Sequence, residues 1–116
     1  MTPTHPTVIH PADHANYAAG KMGKATIFES PRLLVGLNAF EPGQQHALHA
    51  HAGQDKLYYV LEGEGQFLLD GRELPMTAGD LLIAPEGVPH GVDNPGPGRL
   101  LVLAVLAPAP IKPSSR

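Results

Sequence analysis

The stretch GQQHALHAHAGQDKLYYVLEG, residues 43–63, decides how the rest of this chain is interpreted. It contains His46, His49 and His51, three of the seven histidines in the sequence. Alternate side chains of an extended strand point to the same face, so His49 and His51 are expected on one side, about 7 Å apart. Two imidazoles placed in this way can bind one metal ion. The same alternation predicts that His46 lies on the opposite face, as a structural or exposed residue.

A second stretch, GDLLIAPEGVPHGVDN at residues 79–94, surrounds a further histidine with turn-forming Gly and Pro. Together the two stretches resemble the paired motifs of the cupin superfamily. The second motif of that family is Gly, five residues, Pro-x-Gly, two residues, His, three residues, Asn. The sequence matches it at every position, with Gly79, Pro85, Gly87, His90 and Asn94.

The first cupin motif is matched except for its acidic residue. Gly43, His49, His51 and Gly63 occupy their expected places. Counting back from Gly63, the place of the motif glutamate is taken by Lys56. Counting forward from His51 with the shorter spacing, it is taken by Asp55. The two motifs and the spacer between them extend over nearly half of the chain.

The resemblance implies a double-stranded β-helix, an RmlC-like jelly roll, in which His49, His51 and His90 face the interior and bind a divalent transition metal. Zn, Fe, Mn and Ni all suit such ligands. For a fourth ligand, strand parity favours Gln54, whereas a bulge before residue 57 would turn Asp55 inward. Lys56 would then enter the cavity and could anchor a substrate carboxylate, or it could be an ordinary surface lysine.

Several functions are compatible with such a site. The resemblance implies a small-molecule metalloenzyme, namely a dioxygenase, decarboxylase, isomerase or lyase acting on a small oxygenated acid, sugar or phenol. The missing motif glutamate, which can act as a base as well as a ligand, supports the alternative of a non-catalytic module that binds a metal or small molecule. A third possibility is a metal-free barrel with structural histidines.

The remaining pattern predicts an all-β chain. Short apolar runs bounded by Gly, Pro, Asn or Asp predict strands at 25–29, 33–40, 45–51, 57–62, 65–69, 72–74, 80–84, 91–93 and 100–107. Asp70-Gly71 is a strong hairpin signal. We expect the barrel to extend over residues 25–108. Residues 1–24 would form an irregular tail, with a short helix from Asp13 or an extended arm, and residues 109–116 a C-terminal tail.

Composition limits the class of protein. The chain has 116 residues, no cysteine and a net charge of −3 with only eight scattered Lys and Arg residues, so neither a thiolate ligand nor a nucleic-acid partner is expected. No apolar run approaches the roughly 20 residues that cross a bilayer, so no membrane partner is expected. We therefore expect a bacterial-type cytoplasmic protein. Two strands, 57–61 and 100–106, are apolar on both faces, which predicts a homodimer.

Overall fold

The computed structural model describes residues 5–110, and within this range the chain forms nine strands and one short 3₁₀ turn at Pro11–His14. The strands are β1 Gly23–Ser30, β2 Leu33–Phe40, β3 Gln45–His49, β4 Asp55–Glu62, β5 Glu64–Leu69, β6 Arg72–Thr77, β7 Leu81–Ala84, β8 His90–Asp93 and β9 Leu100–Ala107. Each predicted strand is present, and the predicted all-β fold is confirmed.

The strands form two antiparallel sheets. One has the order β1-β2-β9-β4-β7 and the other the order β3-β8-β5-β6. The β5–β6 hairpin turns at Asp70-Gly71 as predicted, with Leu69 opposite Arg72 and Gly71 at a φ of 81°, a value that glycine adopts without steric cost. The two histidine motifs lie on β3 and β8, which are hydrogen-bonded neighbours.

The inner faces of the two sheets enclose the principal core. Strand alternation sends every second residue inward, which on β9 selects Leu100, Val102 and Ala104. They pack with buried side chains from both sheets, which include Phe40, Tyr58, Val60, Phe67, Met76 and Val92. The histidine motifs border this core, so its packing fixes the strands that carry them.

The N-terminal segment lies against the outer face of the five-stranded sheet. Ile9, Ala15 and Tyr17 pack on an outer cluster that includes Leu37 and Leu101. Before β1, the described residues contain a 3₁₀ turn of four residues at Pro11–His14 and no α-helix. The segment expected as an N-terminal tail therefore contributes to packing from Ile9 onward. Residues 1–4 and 111–116, also predicted as tails, lie outside the described range.

Within residues 5–110 the helical structure amounts to the turn at Pro11–His14, and no helix there could span a membrane.

Candidate metal centre

Three histidines converge at one place in the barrel. His49 and His90 are directly paired across β3 and β8, and His51 follows β3 by two residues. One potential ligand atom from each of the three lies within 4.8 Å of the other two. The ring centroids are 4.9 Å apart for His49 and His51, and 4.4 Å apart for His49 and His90. The structure thus brings together the three histidines that the sequence selected as metal ligands.

Backbone contacts fix which ring nitrogen is available. Nδ1 of His49 lies 2.6 Å from the carbonyl oxygen of Ala47, and Nδ1 of His90 lies 3.0 Å from that of Val88. A carbonyl oxygen can only accept, so each Nδ1–H donates and the lone pair is on Nε2. The Nε2 atoms of His49, His51 and His90 are buried and have no hydrogen-bond partner among the described residues.

This donor set fits a divalent transition metal. Buried nitrogen lone pairs that have no protein donor leave a desolvation cost of about 1–3 kcal/mol each, which a shared cation would remove. A ring that donates Nδ1–H to a backbone carbonyl and presents Nε2 has the arrangement usual for histidine metal ligands. The motif loops are also tied together, because the Gly87 N–H donates to the His51 carbonyl oxygen at 2.8 Å.

A fourth histidine lies beside the cluster, contrary to the sequence-based prediction. The register of β3 against β8 shifts between His46 and His49, so His46 and His49 both face inward although they are three residues apart. Their ring centroids are 4.2 Å apart, and Nδ1 of His46 is buried without a partner in the described range. The prediction that His46 lies on the opposite face was therefore wrong, because a bulge interrupts the alternation.

Gly91 makes room for this bulge. A Cβ atom at Gly91 would lie 2.6 Å from the carbonyl oxygen of His46 and 3.1 Å from the backbone of Ala47 and Leu48. No residue of β3 itself signals a bulge. The signal in the sequence is a glycine inside a strand, which often marks a bulge or a close backbone approach. The sequence pattern predicts a strand at 91–93 that begins with this glycine, but it does not predict the contact with β3.

Burial keeps the four imidazoles neutral. It lowers the pKa of His46 to about 3 and the pKa values of His51 and His90 to about 4. Burial also lowers the pKa of His49, although its hydrogen bond to Ala47 opposes this effect. The positive charge of Lys56 further lowers the pKa of each ring. Neutral imidazoles are the form that binds a metal, so no proton must be released near pH 7.

Lys56 and Tyr58 face the barrel interior from alternate positions of β4. Their side chains are 1% and 0% exposed. The Lys56 Nζ lies 4.6 Å from the centroid of the Tyr58 ring, which in turn is 5.7 Å from the centroid of the His90 ring. The place of the motif glutamate is thus taken by a buried amine. Lys56 is therefore not a surface lysine, because its side chain is buried and faces the barrel interior.

The two residues proposed from sequence as a fourth ligand engage other partners. The side-chain amide of Gln54 donates to the Pro108 carbonyl oxygen at 2.9 Å. The carboxylate of Asp55, which is exposed, accepts the Glu86 N–H at 3.0 Å. Among the His, Asp and Glu groups of residues 5–110, the cluster that could hold an ion comprises the three motif histidines without a carboxylate.

Asn94 closes the second motif as a loop cap. It is fully buried, and its side-chain amide donates to the carbonyl oxygens of Phe40 at 3.1 Å and Gly98 at 3.0 Å. Its side-chain oxygen accepts the Gly96 N–H at 3.0 Å. These three bonds give Asn94 a structural role in holding the loop after β8.

The fold and the histidine cluster define a class, that of small jelly-roll barrels with a candidate metal centre on neighbouring strands. The sequence profile of the cupin domain matches residues 36–106, and the chain belongs to this family. An oxalate-binding protein from Thermotoga maritima is 34% identical over 85 residues, which span 73% of this chain and 69% of the relative.

Solved structures extend the likeness over most of the chain. The crystal structure of TT1209 from Thermus thermophilus has a TM-score of 0.84 at 40% identity, and the match covers 89% of this chain and 98% of that one. The crystal structure of a predicted oxalate decarboxylase from Thermotoga maritima has a TM-score of 0.76 at 25% identity, with 89% and 100% covered. These neighbours support the double-stranded β-helix assignment.

Proposed function

We propose that this cupin binds a divalent transition metal through His49, His51 and His90 and uses it to bind a small oxygenated molecule. The observation that carries the proposal is the cluster of three histidines, in which one potential ligand atom of each lies within 4.8 Å of the others and each buried Nε2 has no hydrogen-bond partner within the described range. Such an ion supplies Lewis acidity and open coordination positions. The chain supplies the neutral imidazoles and their fixed orientation.

The proposal includes three protein ligands, with the remaining positions left to water or to the bound molecule. Gln54 could join them only by giving up its bond to Pro108. Asp55 could do so only by leaving the Glu86 backbone. Neither change is needed, because three histidines suffice for Zn, Fe, Mn or Ni.

For the activity, we infer a metalloenzyme acting on a small acid, with a decarboxylase or dioxygenase first among the possibilities. The names of two relatives, an oxalate-binding protein and a predicted oxalate decarboxylase, support a small carboxylic acid. The second candidate is a binding module without turnover. It is favoured by the buried amine of Lys56 at the place where the family motif has its acid, since an ammonium group cannot serve as a general base.

Assays of metal-loaded protein distinguish the metalloenzyme from the binding module. Protein purified without a histidine tag would be loaded with Zn, Mn, Fe or Ni and incubated with small carboxylic acids, and O₂ uptake and CO₂ release would be measured beside a His49→Ala/His51→Ala variant. We expect metal-dependent turnover that the variant lacks. A ligand-induced rise in melting temperature without turnover would establish the binding module instead. Absence of metal binding would contradict both functions.

We further propose a homodimer formed through the outer face of β4 and β7. The N-terminal segment covers only part of the outer face of this sheet. Tyr59, Leu81 and Ile83 remain 38%, 54% and 60% exposed, and burial of such apolar area stabilises an interface by about 25 cal/mol per Å². Sedimentation of wild-type protein should give a dimer, and Ile83→Glu should give a monomer. A wild-type monomer of 12.3 kDa at micromolar concentration would contradict the proposal.

A further inference from the structure

Lys56 and Tyr58 form a polar pair deep in the barrel, beside the candidate metal centre. Both project inward from β4, and the Tyr58 ring links Lys56 to His90 through the contacts described above. Opposite them on the neighbouring strand, the inner face carries Leu106 next to Lys56 and the small Ala104 next to Tyr58. The pair is therefore set in an apolar wall and not at the solvent-exposed surface.

The Tyr58 hydroxyl has no protein partner in the described range, although the side chain is 0% exposed. An unsatisfied buried hydroxyl costs about 1–3 kcal/mol, and native proteins rarely keep one without a water or ligand. A phenylalanine would fill the same apolar space without that cost. The hydroxyl is thus a hydrogen-bonding group held ready inside the barrel, and the neighbouring Lys56 amine is a cationic donor.

Charge balance indicates what these donors bind. The candidate ligand set consists of neutral imidazoles and contains no carboxylate from the described residues, so a bound divalent ion would retain its full double charge. The Lys56 charge lowers the pKa of all four histidines, so it would also repel a cation held by them. A ligand with two negative groups that binds such a cation and contacts Lys56 would reduce this repulsion.

We propose that Lys56 and Tyr58 form a carboxylate subsite, so that the preferred ligand of this centre is a small dianionic carboxylate. This inference rests on the proposed metal site. One carboxylate of the ligand would bind the ion held by His49, His51 and His90. The other accepts hydrogen bonds from the Lys56 amine and the Tyr58 hydroxyl. The substitution of a lysine for the motif glutamate is then a specificity feature of this chain, because it replaces a negative group by a cation.

The test is a calorimetric titration of the zinc-loaded protein with malonate and with its uncharged analogue malonamide. Wild-type protein should bind malonate and not malonamide. Lys56→Met should weaken malonate binding about 10- to 100-fold and Tyr58→Phe about 10-fold, the range expected for hydrogen bonds to a charged group. The zinc dissociation constant, measured by competition with a chromophoric chelator, should stay unchanged or fall in Lys56→Met, since a like charge is removed.

Matched controls come from residues on the outside of the barrel. Tyr17→Phe removes a phenol hydroxyl on the outer cluster, and Lys21→Met removes an amine at an exposed position; both should leave malonate affinity unchanged. Normal zinc binding with malonate affinity that is the same in wild type, Lys56→Met and Tyr58→Phe would overturn the subsite alone, as would equal binding of malonate and malonamide. Loss of zinc binding already in the wild type would contradict the proposed function and, with it, this inference.

Discussion

Two regions of the barrel interior differ in whether their side chains find all the contacts and hydrogen bonds that they can make. Around Phe40, Val60 and Val102 the side chains are apolar, fully buried and packed against one another. Around His49 and His90 the side chains are polar and enclosed by the barrel, yet their Nε2 atoms have no protein donor within residues 5–110. The apolar region gains free energy from packing, whereas the histidine region retains unmet hydrogen bonds. The difference indicates that the first region holds the fold and the second is built for a ligand.

Phe40→Ala should have the largest effect on stability of the changes considered. It removes a fully buried ring from the apolar region, and we expect the free energy of unfolding to fall by about 3–5 kcal/mol in chemical denaturation. Val8→Ala, at a side chain that is 87% exposed, is the control and should change it by less than about 0.5 kcal/mol. Zinc affinity of the folded Phe40→Ala protein should be preserved. A selective loss of zinc binding in that variant would break the division between the two regions.

Gly91→Ala tests the bulge that brings His46 to the interior. The added methyl group would lie 2.6 Å from the His46 carbonyl oxygen, so the backbone of β3 must shift, at a cost of about 1–3 kcal/mol. Because His49 belongs to the same bulged segment, zinc affinity should fall as well. Gly20→Ala adds the same group where no atom lies within 4 Å and is the matched control. Equal stability and zinc affinity in the two variants would show that the bulge does not position the histidines.

The pH dependence of stability is the smallest expected effect. In the unfolded chain histidine titrates near 6.5, whereas burial lowers the pKa of His46 to about 3 in the folded protein. Below pH 6.5 the unfolded state therefore takes up a proton that the folded state excludes. The free energy of unfolding is highest above this pH and decreases as the pH falls toward 3.

His46→Leu removes this contribution. In a chelator, denaturation of the variant between pH 6.5 and 5 should show a pH slope that is smaller than the wild-type slope by no more than one proton. Val8→Ala, which removes no titratable group, is the control and should keep the wild-type slope. An unchanged slope in His46→Leu would mean that His46 is not buried in the folded protein.

The fold was predictable from the sequence because its signals are local. Apolar runs bounded by turn residues locate β2 and β9 with their observed bounds, and Asp70-Gly71 locates one hairpin. The motif spacing also selected His49, His51 and His90, which the pairing of β3 with β8 brings together.

The details of the site depend on residues far apart in the sequence and were not predictable from local pattern. Gln54 bonds to Pro108 and Asp55 to Glu86, partners that lie 54 and 31 positions away. The inward position of His46 depends on a bulge packed against Gly91. Strand parity alone cannot anticipate such contacts, because it assumes an uninterrupted register.

The most direct test of the metal centre is elemental analysis of protein purified without a histidine tag. Wild-type protein should carry close to one divalent transition-metal ion per chain, and His49→Ala/His51→Ala should carry almost none. A His10→Ala/His14→Ala variant, which removes two exposed histidines, should retain the wild-type content. Equal trace metal in all three proteins would contradict the account and leave a metal-free barrel.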